Sequence, residues 1–135
     1  MGGSSVIPLE IRVLYGDVDQ MGFVYYANYL RYFEAGRGAF LRAHGRSYRE
    51  VESEGLRLPV IEARVSYRAP ARYDDVLALE TELTQARGAT FRFTYSVRRD
   101  QVELVSGETV HACLNARGKP TRVPPELASM AAEGS

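Results

Sequence analysis

Cysteine is almost missing from this 135-residue chain. Cys113 stands alone, so no internal disulfide can form and a disulfide scaffold is excluded. Net charge is missing too: seventeen basic residues balance seventeen acidic ones. That removes the positive footprint of a nucleic-acid binder. Tryptophan is absent, and the nine tyrosines lack the basic companions of a base-stacking module. No apolar run approaches the roughly 18 residues needed to span a bilayer. The first residues show neither a basic n-region nor an apolar h-region, so the cytoplasm is the expected compartment. Histidine is scarce: His44 and His111 are too few and too far apart for a metal site, and no metal is expected. His111 reads as a satisfied strand histidine. No G-x-S-x-G elbow, dinucleotide-binding glycine motif or P-loop is present.

What is there is the composition of a soluble globular domain, 45% apolar and 25% charged. The length suits one domain, expected over 7–130, with flexible ends at 1–6 and 131–135. Sixteen arginines stand against one lysine, Lys119. Arginine forks suit phosphate and carboxylate groups, but compositional bias explains the excess equally well.

Five segments alternate apolar and polar residues, as strands with one buried face do. They begin with Ile7, Leu9, Ile11, Val13 and Tyr15. Next come Ile61, Ala63, Val65 and Tyr67, then Leu77, Leu79 and Leu83. Phe91, Phe93, Tyr95 and Val97 make the cleanest set, and Val102 to Leu114 the loosest. Short turn signals at 71–75, 85–89 and 99–101 suit hairpins and a meander. A long helix is expected from Ala27 to His44, with Asn28 as N-cap and Gly45 just past its end. Its apolar positions are too many for a narrow stripe, so it should be mostly buried. Glu34 and Arg37 are spaced to pair along its surface. Gly36 and Gly38 weaken the helix by about 1 kcal/mol each relative to Ala, which suggests a close neighbour. Shorter helices are expected at 47–54 and 125–131.

The segment Tyr15-Gly16-Asp17-Val18-Asp19-Gln20-Met21-Gly22 carries the richest chemistry. Two carboxylates lie in a loop, with Gly22 free to take a positive φ. The helix start beyond them offers unsatisfied backbone N–H groups. Such a segment can supply a base or nucleophile together with a carbonyl-polarising dipole. Either aspartate could equally cap a turn or the helix start.

The stretch Tyr15 to Arg37, YGDVDQMGFVYYANYLRYFEAGR, resembles the signature of the 4-hydroxybenzoyl-CoA thioesterase family, in particular its YbgC-type acyl-CoA thioesterase branch. YRAPARYDD, Tyr67 to Asp75, and ARGAT, Ala86 to Thr90, are similar to further segments of that family. The resemblance implies an α+β hotdog fold: an antiparallel sheet of about five strands wrapped around one long helix. It implies hydrolysis of an acyl-CoA to an acid and free CoA, with CoA as part of the substrate and no separate cofactor. It makes Asp19 the catalytic carboxylate, nucleophile or general base. Amides near Tyr26 and Ala27 would polarise the carbonyl, and Tyr15, Gly22, Val24 and Tyr25 would contact the acyl group. Many YbgC-type members carry histidine where this chain has Tyr26. A phenol with a pKa near ten does not do a histidine's acid–base work at neutral pH without a large shift. Arg68, Arg72, Arg87 and Gly88 sit at strand ends, where they could meet the CoA phosphates. A sheet edge left by five strands tends to pair with another chain, so a homodimer or homotetramer is expected. Two alternatives stay open: a non-catalytic acyl-CoA-binding hotdog module and, lower, a hotdog dehydratase.

Overall fold

The computed structural model describes residues 6–132. Strand β1 (Ile7–Arg12) leads through a 3₁₀ turn (Tyr15–Asp17) and a loop into helix α1 (Asn28–Ala43). Helix α2 (Tyr48–Ser53), strands β2 (Val60–Tyr67), β3 (Val76–Arg87), β4 (Thr90–Arg99) and β5 (Val102–Ala112), and helix α3 (Pro125–Ala128) follow. The five strands form one antiparallel sheet in the order β1-β3-β4-β5-β2. Helix α1 lies across β1, β3 and β4.

Aromatic side chains seat the helix. Phe33 stacks on Tyr95 with centroids 4.1 Å apart, and Phe40 meets Phe93 edge-on at 5.4 Å. Such ring contacts add to the area they bury. Two glycines permit this approach. A Cβ on Gly107 would lie 2.5 Å from the Phe33 ring. A Cβ on Gly36 would lie 2.8 Å from Leu79 and closer still to Thr81 Oγ1. The expected close neighbour is therefore real at Gly36. At Gly38 only the Arg42 side chain of the same helix is near.

Several sequence expectations change. Strand β1 stops at Arg12, because the Asp17 carboxylate accepts the Leu14 N–H and closes the 3₁₀ turn. Tyr15 thus leaves the strand. Ala27, not Asn28, occupies the N-cap position of α1. Asn28 instead donates its side-chain amide to the Asp17 carbonyl at 2.8 Å. Arg37 does not pair with Glu34 on the surface. It is buried, and its Nη1 donates to the Tyr95 hydroxyl at 3.0 Å. The helix is buried on one face only: Leu30, Glu34 and Ala35 are exposed. Short helix α2 starts as expected, with Ser47 and Glu50 forming a reciprocal capping box.

The meander holds only for β3, β4 and β5. Strand β2 pairs with β5 instead of forming a hairpin with β3. The segment 68–75 is therefore a crossing, not a turn. Its eight residues reach past several strands at roughly 4.8 Å each. On the way it is held by Val24 N–H to the Ala71 carbonyl and by the Phe23–Arg72 bridge. As an edge strand, β2 exposes both faces along most of its length, and Ile61 and Tyr67 are open to solvent where a buried face was expected. Between β4 and β5 the turn is two residues, Asp100 and Gln101, both with positive φ (51° and 76°). That is the twist a two-residue hairpin requires.

Near the C-terminus, Ala131 is buried and the Ala132 N–H donates to the Leu83 carbonyl. The rest of the expected flexible ends, 1–5 and 133–135, lies outside the described residues.

Candidate active site

The loop between β1 and α1 places its two aspartates in opposite environments. Asp17 is 4% exposed. Its carboxylate accepts the Leu14 N–H at 3.0 Å, the Tyr32 hydroxyl at 2.9 Å and the Arg31 guanidinium. Burial alone would raise its pKa, but these donors outweigh it and hold the carboxyl below its ordinary range. Asp19 is exposed. One of its oxygens, Oδ1, accepts the N–H groups of Met21 (2.9 Å) and Phe23 (3.3 Å). The Asp19 N–H donates to the Phe23 carbonyl at 2.8 Å, and Gly22 closes the loop with φ of 84°. A residue with a Cβ is strained there.

Asp19 stands between two clefts. One, of about 590 Å³, is lined by Tyr15, Val18, Asp19, Gln20, Gly22 and Tyr73. The other, of about 380 Å³, is lined by Asp19 with Phe23, Val24, Tyr26, Tyr29, Tyr67, Arg68, Ala69 and Pro70. The second is walled by tyrosines: Tyr67 meets Tyr29 at 5.6 Å and Tyr26 at 6.4 Å between centroids. The Tyr67 hydroxyl donates to the Tyr26 carbonyl. Burial raises the pKa of Tyr29 and Tyr67, so both present neutral hydroxyls. Among the described residues, neither Tyr26 nor Ala27 donates its backbone N–H to a protein acceptor. Two amides thus stay available at the start of α1.

The residues expected from sequence divide accordingly. Tyr15 and Gly22 line the outer cleft, while Val24, Tyr26 and Arg68 line the tyrosine cleft. Tyr25 borders neither. Its ring lies tilted against that of Tyr26, centroids 4.6 Å apart, and a hydrogen bond with the Tyr26 hydroxyl raises its pKa. Arg68 pairs with Glu103 at 3.2 Å, and the Arg72 guanidinium sits 4.8 Å over the Phe23 ring. Arg87 and Gly88 lie at the far end of β3, roughly 35 Å along a strand rising ~3.3 Å per residue. One chain does not bring them to Asp19. Phe23, Tyr29, Tyr67 and Tyr73 join the site without having been assigned to it. Tyr67 precedes the crossing segment and Tyr73 lies within it, and no periodicity announces that segment's return to the loop.

His111 is buried as a satisfied strand histidine. Its Nδ1 donates to the Leu58 carbonyl (3.2 Å), so Nε2 accepts from Thr109 (2.8 Å). Thr109 in turn accepts from Tyr95 (2.6 Å), and Tyr95 from Arg37. Cys113 is buried, and burial raises its thiol pKa. Among the described residues no cluster of three or more His, Cys, Asp and Glu side chains could hold a metal ion. No described helix is long and apolar enough to cross a membrane.

Residues 13–130 match the thioesterase-like superfamily. The chain belongs to that family. The thioesterase-like chain is similar to the acyl-CoA thioester hydrolase YbgC of Escherichia coli, 34% identical over 87% of this chain and 89% of the relative. It is also similar to the acyl-CoA thioesterase YbgC of Haemophilus influenzae, at 33% over 87% and 88%. A crystal structure from Aquifex aeolicus superposes with a TM-score of 0.87 at 32% identity, covering 91% of this chain and 97% of that one. A probable thioesterase from Bartonella henselae superposes at 0.82 and 32%, covering 89% and 100%. The expected resemblance and the hotdog α+β architecture are both borne out.

Proposed function

We propose that this thioesterase-like chain hydrolyses acyl-CoA thioesters, releasing a carboxylic acid and free CoA, with Asp19 as the catalytic carboxylate. The observation that carries this reading is the placement of an exposed carboxylate between two clefts, beside a helix start with two unengaged amides. In the general-base form, Asp19 takes a proton from water as the water oxygen bonds to the thioester carbon. The Tyr26 and Ala27 amides stabilise the oxyanion. The C–S bond then breaks, and the CoA thiolate leaves and takes up a proton. In the nucleophilic form, Asp19 itself attacks and displaces CoA thiolate, and water then cleaves the mixed anhydride.

Arg68 and Arg72 are close enough to the tyrosine cleft to meet CoA phosphates. Arg87 and Gly88 are too far within one chain, so their proposed contact is with the substrate of a second copy. A homodimer or homotetramer would bring that second copy into place. The exposed edge strand β2 presents Val60, Ile61 and Tyr67 to solvent, an edge suited to pairing with another copy. The cytoplasm is the compartment this reading assigns.

The test is a panel of short-chain, long-chain and aromatic acyl-CoAs read by thiol release, run on the wild type and on Asp19→Asn. The wild type should turn over at least one substrate. Asp19→Asn should lower kcat by roughly 10²–10⁴-fold, the scale of a positioned base. Near-normal turnover by the variant would remove Asp19 from the chemistry. Binding without turnover across the panel would instead favour a non-catalytic acyl-CoA-binding module. A clean monomer at micromolar concentration in sedimentation would overturn the assembly.

A further inference from the structure

We infer that Asp17 is a positioning residue for this reaction: it locks the start of α1 onto the Asp19 loop and so sets where the polarising amides stand. The inference rests on the reading of Asp19 and the helix-start amides just given.

Asp17 joins three segments through six hydrogen bonds, one of them its own N–H to the Leu14 carbonyl at 2.9 Å. Its carboxylate oxygens take the Leu14 N–H, at the exit of β1, and the Tyr32 hydroxyl and Arg31 guanidinium, one turn into α1. Its own carbonyl takes the Tyr25 N–H at 2.9 Å and the Asn28 side-chain amide at 2.8 Å. Tyr25 and Asn28 bracket Tyr26 and Ala27, whose amides are the proposed oxyanion donors. On its other side, Asp17 is one residue from Val18, which bridges to Val24 and closes the loop that presents Asp19. The base and the amides therefore reach their relative positions through Asp17.

A turn-capping aspartate needs one or two donors from neighbouring backbone. Asp17 instead draws two side chains from the helix body. Arg31 is largely exposed, yet its guanidinium turns inward to this carboxylate. The donors also hold the carboxyl in its charged form, so the clamp stays closed at any pH where the enzyme would work. The catalytic consequence follows from geometry. Donor placement acts steeply on a developing oxyanion, and a shift of about 1 Å can cost roughly 10²-fold in rate.

The experiment compares Asp17→Asn, Tyr32→Phe and Arg31→Gln with Phe40→Leu, a control at the opposite end of α1. Each is assayed for kcat, KM and melting temperature on a substrate the wild type turns over. Asp17→Asn should lower kcat by about 10–100-fold while KM stays within about threefold. Tyr32→Phe and Arg31→Gln should each lower kcat by a smaller factor, about 3–10-fold, again with KM little changed. Phe40→Leu should melt lower yet keep kcat within twofold. The inference is overturned if Asp17→Asn keeps kcat within twofold, or loses no more than Phe40→Leu does. Should Asp17→Asn fail to fold, wild-type kcat in both Tyr32→Phe and Arg31→Gln overturns it equally. Asp19→Asn, run alongside, separates the two claims. Full activity there removes the underlying reading, whereas its inactivity beside a normal Asp17→Asn removes only the positioning role.

Discussion

Asp17 and Asp19 stand two residues apart in one loop and differ in nearly everything but their chemistry. Asp17 is enclosed, and both oxygens of its carboxylate are engaged by donors from a strand end and a helix. Asp19 opens onto two clefts and spends a single oxygen on its own loop. A carboxylate with both oxygens engaged by fixed donors is a good strut and a poor base. One with an uncommitted oxygen facing a cleft can accept a proton or attack a carbonyl. Gly36 and Gly38 repeat the contrast on α1, where the first lies against β3 and the second faces only Arg42. Within two residues, the same side chain is structural in one place and free in the next.

The largest expected effect separates the aspartates by what each substitution damages. Asp19→Ala should lower kcat by roughly 10²–10⁴-fold, about 3–5 kcal/mol of barrier, and leave the melting temperature within about 1 °C. Asp17→Ala should strip partners from buried donors and destabilise the fold by about 3 kcal/mol, or roughly 10 °C in Tm. Equal losses of Tm in the two variants, read by thermal melts, would break the comparison.

A second test uses pH and the other buried polar chain, which ends at His111. Burial, with the Arg37 charge nearby, pushes the His111 pKa down from 6.5 to about 4. The unfolded chain therefore binds a proton between those values that the folded chain does not. Stability is full above pH 6.5 and falls as the pH drops toward 4, by up to about 3 kcal/mol. Asp17 acts lower. Its stabilisation is lost only as the pH falls below the ordinary carboxyl value of 3.8. Urea melts between pH 7 and 4 should show the slope in the wild type and a flatter one in His111→Phe. An unchanged slope would mean that His111 does not control acid stability.

The glycine pair gives a smaller effect of opposite sign. Gly36→Ala should cost about 1–3 kcal/mol, because the new methyl overlaps Leu79 and Thr81. Gly38→Ala meets only a movable guanidinium at 3.1 Å and should stabilise by up to about 1 kcal/mol. Denaturant midpoints would show two shifts of the same sign if the helix sat differently. The smallest effect concerns CoA. Arg68→Gln should raise KM for acyl-CoA by a few-fold, about 1 kcal/mol for an exposed charge. An unchanged KM would take Arg68 out of the binding site.

Much of this was legible in the chain. The strict alternation of Phe91, Phe93, Tyr95 and Val97 placed β4 and its buried face, because period two maps directly onto the two faces of a sheet. The short helix expected at 47–54 formed as α2, whose start is set by the wholly local Ser47–Glu50 cap. The Asp-x-Asp loop before the long helix marked the segment now proposed as the site. Three things were not legible. The alternation of β2 suggested a buried face, yet the strand lies at the sheet edge, where α1 meets it chiefly through the Tyr29–Tyr67 ring contact. The 68–75 segment looked like a turn, but whether eight residues turn or cross depends on which strand accepts β2. Glu34 and Arg37 had the spacing of a surface pair, but the rotation of α1 against the sheet carried Arg37 inside to Tyr95.

The sequence by itself determined most of the elements, the loop proposed to carry the chemistry and the family, because periodicity, caps and motifs are properties of neighbours along the chain. Only the tertiary structure decided which aspartate is enclosed and which tyrosines wall the cleft. It also decided why two arginines expected at CoA lie near Asp19 while Arg87 lies a strand's length away. Those outcomes depend on strand order and on how α1 sits across the sheet. Both are set by packing between segments far apart in sequence, which no local pattern encodes.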